Sequence, residues 1–213
     1  MKKVRFANDG HPTRVFQVDE LRAPHRVGSI WFQEGQKRYH FLRRVAELDR
    51  LFKKMNSFEL EETLSRYPGF LGVVPVNHLT KPVNLSRNCY FVLANTDPCF
   101  RRGQHWVAFF FYKLTSGIWR AEYFDSFGQP PKQKVMRDYI KSWCGENWVF
   151  NSTALQAKGS SVCGCYCIYF ILTRMCGFNM KYIISCLLSN LDRDRIVYEF
   201  CKRIAGNKSH TVL

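Results

Sequence analysis

Three cysteines crowd the stretch QAKGSSVCGCYC, residues 156–167, at positions 163, 165 and 167. Such a cluster can bind a metal, form disulfides, fill a core or act as a nucleophile. The apolar run from Cys163 to Cys176, with Gly177 where a C-cap belongs, predicts one buried helix. At about 100° per residue, Cys163 and Cys167 share a face and Cys165 points roughly the opposite way, so one ion does not easily gather all three. Zinc sites usually pair cysteines in a turn and add a second pair or histidines further on, a partner motif this chain lacks. Cys165, Cys167, Cys176 and Cys186 read as small core residues. Cys163 differs because it opens the helix after the polar AKGSS. There the unpaired N–H groups and the helix dipole stabilise a thiolate, which is the reactive form. The amide of the same residue can also donate to the oxyanion of an attacked carbonyl.

A thiolate of this kind calls for an imidazole partner. CYFVLAN (89–95), HWVAFFFYKL (105–114) and IWRAEYF (118–124) are rich in aromatic and β-branched residues, and Thr115-Ser116-Gly117 makes the last two a hairpin. Folding back at that turn brings position 105 opposite a position between 125 and 127, so His105 approaches Asp125. A carboxylate there fixes the imidazole tautomer and stabilises its protonated form. From the hairpin alone, a surface histidine and a turn aspartate in FDSFG explain the pair more plainly. Gln156, seven residues before Cys163, stands where a loop can deliver its amide as a second oxyanion donor, although a lone loop Gln says almost nothing. Trp106 packs beside His105 or is an ordinary core aromatic.

The elements around these residues follow from pattern. GSIWFQEGQKRYHF (28–41) reads as two short strands around Glu34-Gly35-Gln36. From there to Met55, apolar residues at helical spacing share a basic amphipathic helix with Arg43, Arg44, Arg50, Lys53 and Lys54. A second helix begins after Asn56, with Glu59 completing a capping box and Pro68-Gly69 as the stop. Residues 132–143 form a helix with Val135, Met136, Tyr139, Ile140 and Trp143 on one face, and 147–152 form a strand. The domain boundary falls near residue 56, giving a basic N-terminal extension or subdomain (1–56) and a main domain (57–213).

The chain has 213 residues, 46% of them hydrophobic, enough for a substantial core. Neither a membrane span nor a secretory leader is evident, and nine cysteines, an odd number, favour reduced thiols over a disulfide scaffold. The net charge is +15, with 13 Lys/Arg against 6 Asp/Glu in residues 1–56 and 19 against 11 beyond. That field suits a polyanion such as DNA, and it also serves plain solubility.

Taken in order, His105, Asp125, Gln156 and Cys163 resemble the catalytic set of the adenain family of cysteine proteases, which shares a superfamily with the proteases of SUMO-like modifiers. The resemblance rests on HW (105–106), YFDSFG (123–128), QAKGSSVCG (156–164) and the apolar helix beyond, with FLG (70–72) and VLANTD (92–97) in support. The six residues between Gln156 and Cys163 and the Phe127-Gly128 after the acid match adenain, whereas SUMO-type enzymes have Asp-Cys-Gly where this chain has Val162-Cys163-Gly164. Asp125 stands where adenain has Glu, and residues 1–56 have no counterpart there, which points to a related virus or a Polinton/Maverick-like element. The likeness spans roughly residues 57–204.

The resemblance implies an α+β fold in which a central mixed or antiparallel sheet packs against the nucleophile-bearing helix. It implies a monomeric cysteine endopeptidase that cuts viral structural precursors next to small residues such as glycine, in the virion and host nucleus, with no cofactor needed for the chemistry. DNA and a short basic viral peptide are the activators it suggests; Cys144 lies near the position of adenain's peptide-linked cysteine, although a plain surface or core thiol explains it more simply. A deubiquitinating or SUMO-removing isopeptidase is the alternative activity. A basic DNA-binding virion structural protein is the alternative of another class. Arg43, Arg44, Arg50, Lys53 and Lys54 are the candidate DNA contacts of the protease too, although their helix reads first as a packed helix with a solvated basic face.

Overall fold

The computed structural model of the chain describes residues 54–206. The strands expected at 28–41, the body of the basic helix and the residues Arg43, Arg44, Arg50 and Lys53 lie outside the described residues. Lys54 and Met55 are irregular backbone, not the last turn of a helix. The reason is local: Asn56 is extended (φ −88°, ψ 172°) and caps the next helix, so the chain turns there.

That helix, α1 (Ser57–Leu64), opens with the expected capping box. The Asn56 side chain accepts from the Glu59 amide at 2.9 Å, and the Glu59 carboxylate accepts from the Asn56 amide at 3.0 Å. It ends at Leu64, before the Pro68-Gly69 stop. Five strands follow in one sheet: β1 (Phe70–Pro75), β2 (Cys89–Asn95), β3 (Trp106–Lys113), β4 (Trp119–Phe124) and β5 (Trp148–Phe150), ordered as numbered. β2, β3 and β4 are antiparallel, while β1 and β5 add in parallel at the two edges, so the sheet is mixed. α2 (Lys134–Cys144) precedes β5, and α3 (Cys163–Met175), α4 (Met180–Leu188) and α5 (Arg193–Gly206) complete the described residues.

Both faces of the sheet are covered, which is why β2 and β3 read as nearly unbroken apolar runs and not as an alternation. Phe91, Leu93, Ala108, Phe110 and Phe124 point to the face carrying α1, α3 and α5, where Phe124 stacks on Phe170 at 4.5 Å. Val92, Val107, Phe109, Phe111 and Tyr123 point to the other face and pack on Met136, Tyr139, Ile140 and Trp143 of α2. Val135, expected on that inner face, sits at its rim with 38% of its surface exposed. The hairpin register pairs Ala108 with Phe124 and Tyr112 with Arg120, which carries position 105 toward 127 and inside the expected range. Among the described residues no helix is long and apolar enough to cross a membrane. The architecture is α+β, with the cysteine-bearing helix against a central mixed sheet.

Candidate active site

The site forms where β3 begins, β4 ends and α3 starts. His105 immediately precedes β3, and its backbone carbonyl accepts from the Thr96 amide at 2.9 Å, which closes the loop from β2. Asp125 immediately follows β4. The hairpin therefore brings the two side chains together, with His105 Nε2 2.8 Å from Asp125 Oδ1. Asp125 is almost fully buried and His105 largely so. The same carboxylate oxygen accepts from the Phe127 amide at 2.8 Å, and the Phe127 ring lies 4.9 Å from the imidazole, covering one of its faces.

On its other side His105 meets Cys163. With Nε2 committed to Asp125, Nδ1 is the nitrogen left for the thiol. Burial pushes the Cys163 thiol up, but the hydrogen bond and charge of His105 and the backbone N–H groups of Trp106 and Gly164 outweigh it, and the net shift is below the ordinary thiol value. Burial pulls His105 down, but its bonds to Asp125 and Cys163 and their negative charges raise it to about 9. The thiol shift is downward and the imidazole shift upward, and both favour thiolate beside imidazolium over the neutral pair.

Helix α3 supplies the rest of that environment. No side chain caps its first turn at Val162, so the leading N–H groups remain available to an anion. Gly164 lets the helix start approach closely: a Cβ there would stand 3.2 Å from Leu60 Cδ2 and 3.5 Å from Trp106 Cδ1. Trp106 is buried in the core, as one of the two expectations had it, with its indole N–H donating to the Met55 carbonyl at 3.2 Å.

Gln156 is buried, and its amide is held at both ends. Ser126 Oγ donates to Oε1 at 2.6 Å, and Nε2 donates to the Ser160 carbonyl at 2.7 Å. The backbone joins in, because the amides of Leu155 and Gln156 both donate to the Ser126 carbonyl, at 2.8 and 3.0 Å. Two further interactions steady this seam. The Asn151 side chain accepts from the Asp125 amide at 2.8 Å and donates to the Asp125 carbonyl at 2.6 Å. Gly128 turns with φ +68° so close to Thr153 that a Cβ would lie 2.5 Å from its carbonyl carbon.

Neither Ser126 nor Asn151 stood out from the sequence as a functional residue. Ser126 lies inside the FDSFG motif, which was signal enough to find it, whereas nothing in the sequence marks Asn151. The N-terminal turn of α5 also reaches the site: Arg193 Nε donates to the Leu155 carbonyl at 3.0 Å, and the Tyr166 hydroxyl joins Leu155 to the buried Asp194 carboxylate at 2.7 Å. Lys54 Nζ donates to the carbonyls of Gly103 and Gln104, at 3.1 and 3.4 Å, on the loop leading into His105.

Of the four cysteines expected in the core, Cys165 and Cys167 are buried, whereas Cys176 and Cys186 are only partly so, because Cys176 lies beyond the stretch of α3 that the sheet covers and Cys186 lies on α4. Cys167 is fully enclosed, and the Cys165 thiol lies 3.6 Å from Met55 Sδ. Cys144 is buried, with its thiol 3.4 Å from the Ile140 carbonyl and pushed up by burial. Among the described residues no three His, Cys, Asp or Glu side chains gather as a metal site.

No family model matches the chain, and no curated protein matches it in sequence. Among solved structures, the crystal structure of the selenomethionine ASFV pS273R protease is similar, with a TM-score of 0.50 and 18% identity over 71% of this chain and 68% of that one. At that identity the likeness is one of fold, the SUMO-protease-like α+β arrangement also expected from the sequence.

Proposed function

We propose that the chain is a cysteine endopeptidase. The observation that carries this reading is the pairing of His105, bonded to Asp125 at 2.8 Å, with a Cys163 thiol held below its ordinary pKa at an uncapped helix start. Cys163 is the nucleophile, His105 the acid–base group, Asp125 its orienting carboxylate and Gln156 an oxyanion donor. The thiolate attacks the scissile carbonyl, and charge collects on its oxygen, facing the Cys163 amide and the Gln156 side chain. His105 then gives its proton to the leaving amine, and water, deprotonated by His105, releases the acyl group from Cys163.

The finer reading concerns substrate. The adenain-like spacing from Gln156 to Cys163 and the fold shared with the ASFV protease favour viral or virus-like structural precursors, cut beside glycine during virion maturation. Residues 1–56 act in this reading as a basic extension that brings the protease domain to DNA, with the virion and host nucleus as the setting. DNA and a short basic peptide are proposed activators, with protein substrates as the partners and a monomer as the working form. The burial of Cys144 disfavours a covalent link to such a peptide.

The test is hydrolysis of a glycine-containing peptide against cleavage of a ubiquitin-like fusion by the full chain, with Cys163→Ala alongside. Turnover of the peptide that vanishes in Cys163→Ala is the expected result. Cleavage of the fusion alone would replace endopeptidase by isopeptidase, and undiminished turnover in Cys163→Ala would remove the mechanism.

A further inference from the structure

We infer that Ser126 is a positioning residue for the reaction, one that sets which end of the Gln156 amide faces the developing oxyanion. This rests on the proposed peptidase chemistry. A glutamine amide can occupy the same space in two orientations, presenting either an acceptor or a donor at a given point. Here the choice is forced from both ends. The Ser160 carbonyl can only accept, so the atom 2.7 Å from it is Nε2. The opposite atom is then Oε1, and Ser126 Oγ, 2.6 Å away, must be the donor. One Nε2 proton goes to Ser160, and the second remains for an oxyanion.

Ser126 is suited to that task because it has no competing solvent. Its side chain is fully buried, and its backbone carbonyl holds the amides of Leu155 and Gln156, so hydroxyl and glutamine cannot drift apart. Removing the hydroxyl, as in Ser126→Ala, leaves Oε1 buried without its Ser126 donor, and the amide is then drawn to turn its NH2 end elsewhere. Asp125 and Ser126 thus divide the work between neighbouring side chains. Asp125 orients the base, Ser126 orients the oxyanion donor, and the Asn151 clamp on the Asp125 backbone serves both.

The experiment is a cycle on the full chain: Ser126→Ala, Gln156→Ala and the double variant, with kcat and KM on a peptide and the rate of Cys163 alkylation by iodoacetamide. Alkylation forms no oxyanion and so reports only the thiolate. Losing an oxyanion donor costs on the order of 10²–10³ in kcat, which is expected for Gln156→Ala. Ser126→Ala should lose at least ~10-fold in kcat, with KM and alkylation within about twofold of the wild type, and should cost nothing more in the Gln156→Ala background. Ser126→Thr, which keeps the hydroxyl, should recover most of the rate; if Ser126→Ala does not fold, Ser126→Cys, a weaker donor of similar size, should fall between.

Two results would overturn the inference. One is a wild-type kcat in Ser126→Ala beside a slowed Gln156→Ala; the other is equal loss of turnover and alkylation, which would assign Ser126 to the Asp125–His105 side. Failure of the peptidase reading itself looks different, because Cys163→Ala would then keep its turnover.

Discussion

Cys163 and Cys167 stand one turn apart on the same face of α3, and both are nearly or fully buried, at 3% and 0% exposure. Their acidities nevertheless diverge. Burial drives the Cys167 thiol well above its ordinary value, and the negative charges of Cys163 and Asp125 nearby add to the effect. The same desolvation acts on Cys163 and is overcome, because the first turn of the helix offers His105 and free N–H groups while the second offers only side chains. Burial alone therefore does not make a reactive or an inert cysteine. Cys201, also enclosed, follows Cys167 in direction and for the same first cause.

Labelling tests this contrast directly and should give the clearest difference. A thiol-reactive peptide probe at neutral pH should label Cys163 in the folded protein and leave Cys167 unlabelled until the chain is unfolded, as mass spectrometry of the digested protein will read. Cys163→Ala should abolish peptidase activity with the fold intact. Cys167→Ala should retain turnover and lose stability by roughly 1–2 kcal/mol, the common scale for a buried truncation. Equal labelling of both thiols in the native state would erase the distinction between the two turns.

The pH profile should respond more modestly. The active pair requires ionised Cys163 and protonated His105, so kcat/KM should rise as pH passes a thiol pKa below the usual range and fall as His105 loses its proton near 9. Asp125 contributes a hydrogen bond and a charge that raise His105. Asp125→Asn removes the charge, the protonated form is less favoured, and the alkaline limb must move to lower pH along with a reduced maximum. A limb that stays near 9 in Asp125→Asn would mean that Cys163 alone holds the imidazole charged.

How much of this could be read from residues alone depends on distance along the chain. The hairpin is local, so its register followed from Thr115-Ser116-Gly117, and with it the meeting of His105 and Asp125. The start of α3 at Cys163 followed from the change from polar loop to apolar run, and the α1 capping box from Asn56 and Glu59. What escaped was the seam between 125–128 and 151–156. Its hydrogen bonds join residues about 26 to 30 positions apart through side chains with no periodic signature, as with Asn151 on the Asp125 backbone and Ser126 on Gln156. α5 was missed for a similar reason: Asp194 and Arg193 look like solvated charges until Tyr166 and Leu155 are folded against them. Val135, only partly covered, shows that an apolar residue at the rim of a helical face fits the pattern whether or not a partner covers it fully.

The mildest change should come from Lys54, which the sequence grouped with Arg43, Arg44, Arg50 and Lys53 as a DNA-binding cluster. Its ammonium donates to Gly103 and Gln104, the two residues before His105, while the adjoining Met55 carbonyl holds the Trp106 indole just after it. Lys54 thus touches the reacting end of the molecule, and the contrast becomes one between a lysine that braces the His105 loop and basic residues proposed for phosphate. Exposed charged interactions of this kind are worth only about 0–1 kcal/mol, so Lys54→Gln should lower kcat/KM by no more than about fivefold. It should leave the salt dependence of duplex-DNA affinity, read by fluorescence anisotropy, unchanged. Replacing Arg43, Arg44, Arg50 and Lys53 by Gln should do the converse, flattening the plot of log affinity against log salt by up to ~0.9 for each phosphate no longer neutralised and leaving peptide turnover alone. A Lys54→Gln protein that keeps full turnover but loses salt-dependent DNA affinity would return Lys54 to the cluster in which the sequence placed it.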